Sequence, residues 1–124
     1  MAKILVIDDT EQNRILIRQV LTFHGHEVLE ADSGFEGIRL VADQGPDLVL
    51  LDLHMPVMDG FSVLRQIRAT PELSKTKVIA VTSLAMNSDR GKILEAGFDE
   101  YVTKPIDTRN FFLIVNDVLG GGVL

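Results

Sequence analysis

Short apolar runs alternate with longer amphipathic segments along this chain. Residues 4–7, 48–51 and 78–81 are apolar at every position, with no alternation between apolar and polar side chains. Continuous apolar runs of this length are typical of strands that are covered on both faces in a parallel sheet. Residues 28–29 and 101–102 are shorter apolar runs. The pattern therefore predicts three buried strands and two weaker ones.

Apolar residues spaced three and four positions apart fill the segments between these runs, which is the periodicity of a helix. They predict five helices, over residues 11–24, 33–44, 60–69, 87–96 and 107–119. In the first helix the predicted apolar stripe consists of Ile15, Leu16, Val20 and Phe23, and Thr10 is the predicted N-cap. Strand and helix thus alternate five times.

This alternation predicts a doubly wound α/β domain, in which right-handed crossovers put helices on both faces of a parallel sheet. In the flavodoxin-like strand order 2-1-3-4-5, strands 1, 3, 4 and 5 are neighbours. The chain has 124 residues, the usual size of one domain. We expect that domain to span residues 1–119 and the glycine-rich residues 120–124 to form a flexible tail.

The composition narrows the classes of function. Acidic residues outnumber basic ones by 18 to 12, and the net charge of −6 argues against sequence-independent nucleic-acid binding, which depends on basic residues at the phosphates. No apolar run approaches the ~20 residues that span a bilayer, and the N-terminus lacks a signal-peptide pattern. The absence of cysteine excludes disulfides and thiolate metal sites. We therefore expect a cytoplasmic protein that binds neither nucleic acid nor membrane.

Polar residues follow four of the predicted strands. Asp8 and Asp9 come after the first, Asp52 after the third, Thr82 after the fourth and Lys104 after the fifth. Each residue alone suits a turn or a helix cap. Together they lie at the carboxyl ends of neighbouring parallel strands, where open α/β sheets bind their ligands.

A cluster of carboxylates at this edge predicts a cation site. Neighbouring strands lie ~4.8 Å apart, so Asp9 and Asp52 can share one ion. Their mutual repulsion is relieved by a hard divalent cation, and Mg²⁺ prefers a few carboxylates together with waters and a substrate phosphate. Lys104 starts two strands away from Asp52, a gap of ~10 Å that its long side chain largely crosses.

Residues 52–60 read D-L-H-M-P-V-M-D-G, which resembles the D-x-x-M-P-x-M-D-G signature of response-regulator receiver domains. The pair Asp8-Asp9, Thr82 and the pair Lys104-Pro105 also stand in the order that this family requires. The resemblance covers residues 3 to about 119. It implies a receiver of a two-component or phosphorelay system.

The resemblance also implies a role for each residue of the acidic site. Asp52 would accept the phosphoryl group. Asp9, Asp52 and the backbone carbonyl of His54 would ligate Mg²⁺ directly, whereas Asp8 would act mainly through water.

Four further residues receive roles from the resemblance, and the small size of Ser83 suggests a role for a fifth. Thr82 and Lys104 would each bind a phosphoryl oxygen, and the small Ser83 would leave the route to the phosphate open. Tyr101 would be the aromatic switch residue that turns inward when Thr82 moves. Pro105 would follow a cis peptide bond.

A receiver of this kind is a signalling switch and not an enzyme, although it assists its own phosphorylation and dephosphorylation. The resemblance implies a histidine kinase or a histidine phosphotransfer protein as the phosphoryl donor. It also implies an output surface made of the last two helices and the last strand, on a monomer or a weak phosphorylation-dependent dimer. His54 and Leu84 would line the pocket mouth, where we expect Leu84 to lengthen the phosphoryl lifetime.

The sequence leaves open whether the receiver stands alone, which its Met1 start favours, or is cut from a larger protein such as a hybrid histidine kinase or a DNA-binding regulator. Two other classes fit less well. A phosphatase of the haloacid dehalogenase type needs D-x-D after its first strand, where this chain has Asp8-Asp9-Thr10, and a cap for which the chain is too short. A flavodoxin needs a Ser/Thr-rich phosphate loop after the first strand, and this sequence lacks one.

Overall fold

The structure is a computed structural model that describes residues 2–83 and 87–120, and the side chains of all of these except residues 87–89. Its strands are β1 (Lys3–Ile7), β2 (Glu27–Ala31), β3 (Leu48–Asp52), β4 (Lys77–Thr82) and β5 (Glu100–Thr103). Its helices are α1 (Glu11–Phe23), α2 (Gly34–Gln44), α3 (Gly60–Ala69), α4 (Asn87–Ala96) and α5 (Thr108–Val118). None of the helices in the described ranges has the length and apolar character needed to cross a membrane.

The five strands form one parallel sheet in the order β2-β1-β3-β4-β5, which confirms the predicted fold. The register pairs Ile7 with Leu51 and Asp52 with Val81. Asp8 therefore follows β1 at the level where Asp52 ends β3. The three central strands end side by side, and their polar residues meet at one edge of the sheet.

Alternate residues of each strand supply two separate cores. Leu5 and Ile7 of β1 pack on the face covered by α2, α3 and α4. Ile4 and Val6 pack on the opposite face, which is covered by α1 and α5. All four side chains are essentially inaccessible to solvent. Burial on both faces explains why the central strands are apolar at every position.

The apolar stripe predicted for α1 is not the face that the helix buries most deeply. Ile17 and Leu21, four residues apart on one face of the helix, are the side chains that it buries against the sheet. Phe23 is 85 % exposed. Leu16, Val20 and Phe23 line a groove of about 550 Å³ between α1 and α5, and of these Val20 also packs against the core. The helix has two apolar faces, and periodicity alone does not tell which one meets the sheet.

The starts of α5 and α1 differ in whether the side chain before the helix caps it. Asp107 accepts hydrogen bonds from the backbone N–H groups of Arg109 and Asn110, as its place before α5 suggests. Thr10 occupies the N-cap position of α1, but its side chain makes no capping hydrogen bond. The backbone N–H of Thr10 donates instead to Asp8 Oδ1 over 2.8 Å. The start of α1 is therefore tied to the acidic edge of the sheet.

Gly60 lets α3 begin directly against the end of β3. A Cβ at this position would lie 2.6 Å from the carbonyl oxygen of Asp52 and 2.8 Å from the Cα of Leu53. Both of these are backbone atoms, which have little room to move. The close approach also allows Gly60 N–H to donate to the Leu53 carbonyl over 3.2 Å. Only glycine fits here without displacing the strand end that carries Asp52.

We expect Gly60→Ala to lower the free energy of unfolding by about 1–3 kcal/mol, the usual cost of overpacking. The matched control is Gly91→Ala in α4, where a Cβ meets no atom of the described residues within 4 Å. Because alanine is the better helix former, this control should be neutral or gain up to about 1 kcal/mol. Urea unfolding of both variants measures the difference. Equal stability of the two variants would contradict the close approach.

Candidate functional site

Three carboxylates come together where β1 and β3 end. Asp8 and Asp9 follow β1, and Asp52 is the last residue of β3. Each of the three side chains has one carboxylate oxygen that lies within 4.8 Å of an oxygen of both other side chains. Asp8 and Asp52 are buried, whereas Asp9 is exposed. The cluster is therefore open to solvent on the side of Asp9.

Asp52 is held in place by one backbone and one side-chain donor. Its Oδ1 accepts a hydrogen bond from His54 N–H over 3.0 Å and lies 3.4 Å from Lys104 Nζ. Burial raises the pKa of Asp52 above its ordinary value, and the charge of Asp8 raises it further. The bond from His54 and the charge of Lys104 act in the opposite direction. The net effect is a carboxylate whose ionised form is disfavoured until positive charge is supplied.

Asp8 has one satisfied and one unsatisfied oxygen. Oδ1 accepts the hydrogen bond from Thr10 N–H, whereas Oδ2 is buried and accepts no hydrogen bond within the described ranges. Oδ2 does lie 3.4 Å from Lys104 Nζ, so the contact is an ion pair without hydrogen-bond alignment. A buried acceptor without a donor is costly. A cation, or a water bound to one, would satisfy it.

The donor set fits Mg²⁺. Hard divalent cations bind oxygen ligands, and Mg²⁺ combines one or two carboxylates with waters and a phosphate. Asp8, Asp9 and Asp52 supply carboxylate oxygens, and the exposed side of the cluster admits water. The residues present are therefore able to hold the ion that the sequence predicted.

Lys104 bridges the two buried carboxylates. Its ammonium nitrogen lies 3.4 Å from Asp8 Oδ2 and 3.4 Å from Asp52 Oδ1. Its backbone N–H donates to the carbonyl of Thr82 over 2.8 Å, which joins the ends of β4 and β5. The peptide bond between Lys104 and Pro105 is cis, as predicted. The lysine side chain thus crosses the neighbouring strand end and reaches the acidic cluster.

The remaining predicted residues lie on the β4 and β5 side of the site. Thr82 is the last residue of β4 and is completely buried, while Ser83 is exposed. Tyr101 in β5 is half-buried against the core that α4 covers, and the Arg90 guanidinium carbon lies 5.8 Å from its ring centroid. Leu84 is outside the described residues.

Arg14 is a residue of this region that the sequence analysis missed. Its Nη1 donates a hydrogen bond to the backbone carbonyl of Asp8 over 2.7 Å. The sequence signal that points to it is a basic residue in the first turns of a helix that starts beside the acidic pair. Such a residue faces back toward the loop because helical side chains tilt toward the N-terminus.

Comparisons with known proteins agree with this geometry. The family model for the response regulator receiver domain matches residues 4–116. The protein PilH of Pseudomonas aeruginosa is 36 % identical over 121 residues, which cover 98 % of this chain and 100 % of PilH. The polar-differentiation response regulator DivK of Brucella ovis is 32 % identical over 117 residues, covering 94 % of this chain and 95 % of DivK.

Solved structures show the same fold. The receiver domain of the sensor histidine kinase PA1611 from Pseudomonas aeruginosa PAO1 superimposes with a TM-score of 0.87 and 31 % identity, covering 96 % of this chain and 98 % of that one. In that structure a magnesium ion is coordinated in the active site cleft. The chemotaxis response regulator CheY4 of Vibrio cholerae superimposes with a TM-score of 0.90 at 24 % identity, covering 95 % and 98 %, and shares the fold.

The raised pKa of Asp52 predicts a stabilising substitution. Its ionised carboxylate is less stable in the folded chain than in the unfolded one. This cost is absent below the ordinary aspartate pKa, grows as the pH rises through the raised value, and is complete above it. Without divalent cations, Asp52→Asn should therefore unfold at a higher temperature than the wild type at neutral pH. The difference should shrink as the pH falls to about 4.

Thermal unfolding followed by circular dichroism at several pH values measures this difference. Glu72→Gln, at an exposed position before β4, is the control for the loss of one negative charge. A wild type more stable than Asp52→Asn at neutral pH would contradict the predicted cost of the buried carboxylate.

Proposed function

The chain belongs to the response regulator receiver family, and from this membership we propose that Asp52 accepts a phosphoryl group from a histidine kinase or a histidine phosphotransfer protein. Receivers of this family are the phosphoryl-accepting switches of two-component signalling. The observation that carries the assignment is the position of Asp52. It is buried at the end of a central strand, between a cluster of carboxylates suited to Mg²⁺ and the ammonium group of Lys104.

The proposed reaction is an in-line displacement at phosphorus. A carboxylate oxygen of Asp52 forms the new phosphorus–oxygen bond while the phosphorus–nitrogen bond to the donor histidine breaks, and the imidazole leaves. Because Oδ1 of Asp52 is already engaged by His54 N–H and Lys104, we assign the attack to Oδ2. These two contacts fix the plane of the carboxylate before the donor arrives, which lowers the entropic cost of the reaction.

The protein stabilises the charge on the transferring oxygens from two sides. Lys104 supplies an ammonium group that can exchange its carboxylate partners for a phosphoryl oxygen. Bound Mg²⁺ supplies further positive charge at the oxygens. Asp9, Asp52 and the carbonyl of His54 would hold the ion directly, and Asp8 would do so through water. The magnesium ion in the active site cleft of the related kinase receiver supports Mg²⁺ as the ion.

The phosphoryl group is then proposed to change the surface formed by α4, β5 and α5. Thr82 would bind one of its oxygens, and Ser83 would leave the approach open. Lys104 is joined to Thr82 through the backbone, so a movement at the end of β4 reaches β5. Tyr101 lies in that strand and would follow. Such a shift requires that the phosphoryl group bind the two conformations with different affinity.

α4 is the helix best suited to move. Among its described side chains, residues 90–96, Ile93 alone is buried. Helices with few buried apolar contacts open at low cost in free energy. The surface between α4, β5 and α5 carries both polar and apolar side chains, including Arg90, Tyr101 and Ile114. A partner protein would bind there in a phosphorylation-dependent manner.

Two finer features complete the proposal. The receiver would assist its own dephosphorylation, because a water placed in line with the phosphorus meets the same charge stabilisation as the donor does. We place this phosphoryl transfer in the cytoplasm, in keeping with a chain that has no cysteine.

We expect Asp52→Asn to abolish Mg²⁺-dependent labelling by acetyl phosphate, because the amide oxygen is a poor nucleophile. Intact-protein mass spectrometry measures the added phosphoryl group. Asp32→Asn is the matched control, since Asp32 is an exposed carboxylate at the same edge of the sheet, after β2. It should be labelled like the wild type. Labelling of Asp52→Asn at the wild-type rate would contradict the assignment of Asp52 as the phosphoryl acceptor.

Hydrogen exchange tests the output surface. On treatment with acetyl phosphate and Mg²⁺, the amides of α4, β5 and α5 should change their exchange rates most, because Thr82 and Lys104 join these elements to the site. Asp52→Asn under the same conditions controls for effects of the reagents. Changes confined to residues 11–44 would refute the proposed surface.

A further inference from the structure

The carbonyl oxygen of Asp8 is bound by a side chain from α1. Arg14 Nη1 donates a hydrogen bond to it over 2.7 Å, and the Arg14 side chain is 15 % exposed. The backbone N–H of Arg14 donates to the carbonyl of Thr10, which places Arg14 in the first turn of the helix. The side chain therefore reaches back to the peptide group that joins Asp8 to Asp9.

β2 holds this guanidinium in place. Glu30 Oε1 lies 3.3 Å from Arg14 Nε, and Glu30 Oε2 pairs with Arg18 Nη1. The next residue of β2, Ala31, accepts a hydrogen bond from Asp8 N–H over 3.1 Å. The backbone of Asp8 is thus bound on both sides from outside the loop, its N–H by Ala31 and its carbonyl by Arg14.

The Asp9 carboxylate depends on this backbone for its position. Within residues 2–83 and 87–120, no hydrogen bond or ion pair holds the side chain of Asp9, which is exposed. Asp8 differs, because Thr10 N–H binds its carboxylate. The direction in which the chain leaves β1 therefore decides whether Asp9 faces the other two carboxylates.

We propose that Arg14 is a positioning residue of the cation site, which holds the peptide group between Asp8 and Asp9 so that both carboxylates face Asp52. The inference rests on the proposed function, since it takes Mg²⁺ to bind at these residues. Mg²⁺ demands near-octahedral geometry at short distances, so a displaced carboxylate lowers its affinity. Groups that orient metal ligands typically contribute about 10–100-fold to metal affinity.

The charge of Arg14 and its hydrogen bond to Asp8 have opposite effects on Mg²⁺ affinity, so an experiment can tell the two effects apart. A guanidinium beside three carboxylates repels a divalent cation, so the loss of its charge alone would tighten Mg²⁺ binding. The loss of its hydrogen bond to Asp8 would weaken binding. The sign of the change in affinity therefore distinguishes a positioning residue from a nearby charge.

Isothermal titration of the full chain with Mg²⁺, without a phosphodonor, tests the inference. Arg14→Met keeps the length of the aliphatic stem but has no donor, and its Kd for Mg²⁺ should rise about 10-fold. Arg18→Met is the matched control, because it also loses one positive charge and one partner of Glu30 but does not touch Asp8. Its Kd should equal the wild-type value or fall below it. Asp9→Asn is the reference for the loss of a direct ligand.

The outcomes separate the inference from the proposed function. Wild-type or tighter Mg²⁺ binding by Arg14→Met would overturn the inference, as would an equal loss of affinity in Arg18→Met. If Arg14→Met does not unfold cooperatively, Arg14→Gln, whose side chain is shorter, takes its place under the same criterion. A wild type that binds no Mg²⁺, or one whose binding is unaffected by Asp9→Asn, would overturn the proposed site and the inference with it.

Discussion

Repulsion between buried carboxylates is the interaction on which the rest of this structure depends. Asp8 and Asp52 are both nearly inaccessible to solvent and share one ammonium group, that of Lys104. Two charges held in a low-dielectric environment with a single counter-charge are unfavourable, and burial raises the pKa of Asp52 accordingly. A cation at the cluster would relieve this repulsion.

The sheet maintains this unfavourable arrangement because its strands are fixed on both faces. Every side chain of β3 is buried, and so are those of β1 from Ile4 onward. Gly60 packs against the carbonyl of Asp52, and Arg14 and Ala31 bind the backbone of Asp8. The packing of the fold thus offsets the unfavourable free energy of clustering the acids, as is usual where function requires strain.

The rigid acidic end of the sheet contrasts with the lightly packed α4. Ile93 is the buried side chain of its described part, whereas α3 buries Val63, Leu64 and Ile67. The hydrogen bond from Lys104 N–H to the carbonyl of Thr82 joins the ends of β4 and β5. A rigid receiver site beside a helix that costs little to displace is the arrangement that a phosphorylation switch needs, because small changes at the site then have a large effect on the surface.

The sequence by itself determined the five strands, their alternation with helices, and the polar residues at the strand ends. Burial on both faces requires a continuous apolar run, and the first polar residue after such a run marks the end of the strand. It did not decide which face of α1 meets the sheet, since Ile17 and Phe23 are equally apolar and only the position of α5 separates them. Nor did it show that Arg14 donates a hydrogen bond to the carbonyl of Asp8, or that Thr10 donates to the Asp8 carboxylate through its backbone N–H. These contacts depend on how distant segments meet, and only the tertiary structure decides that.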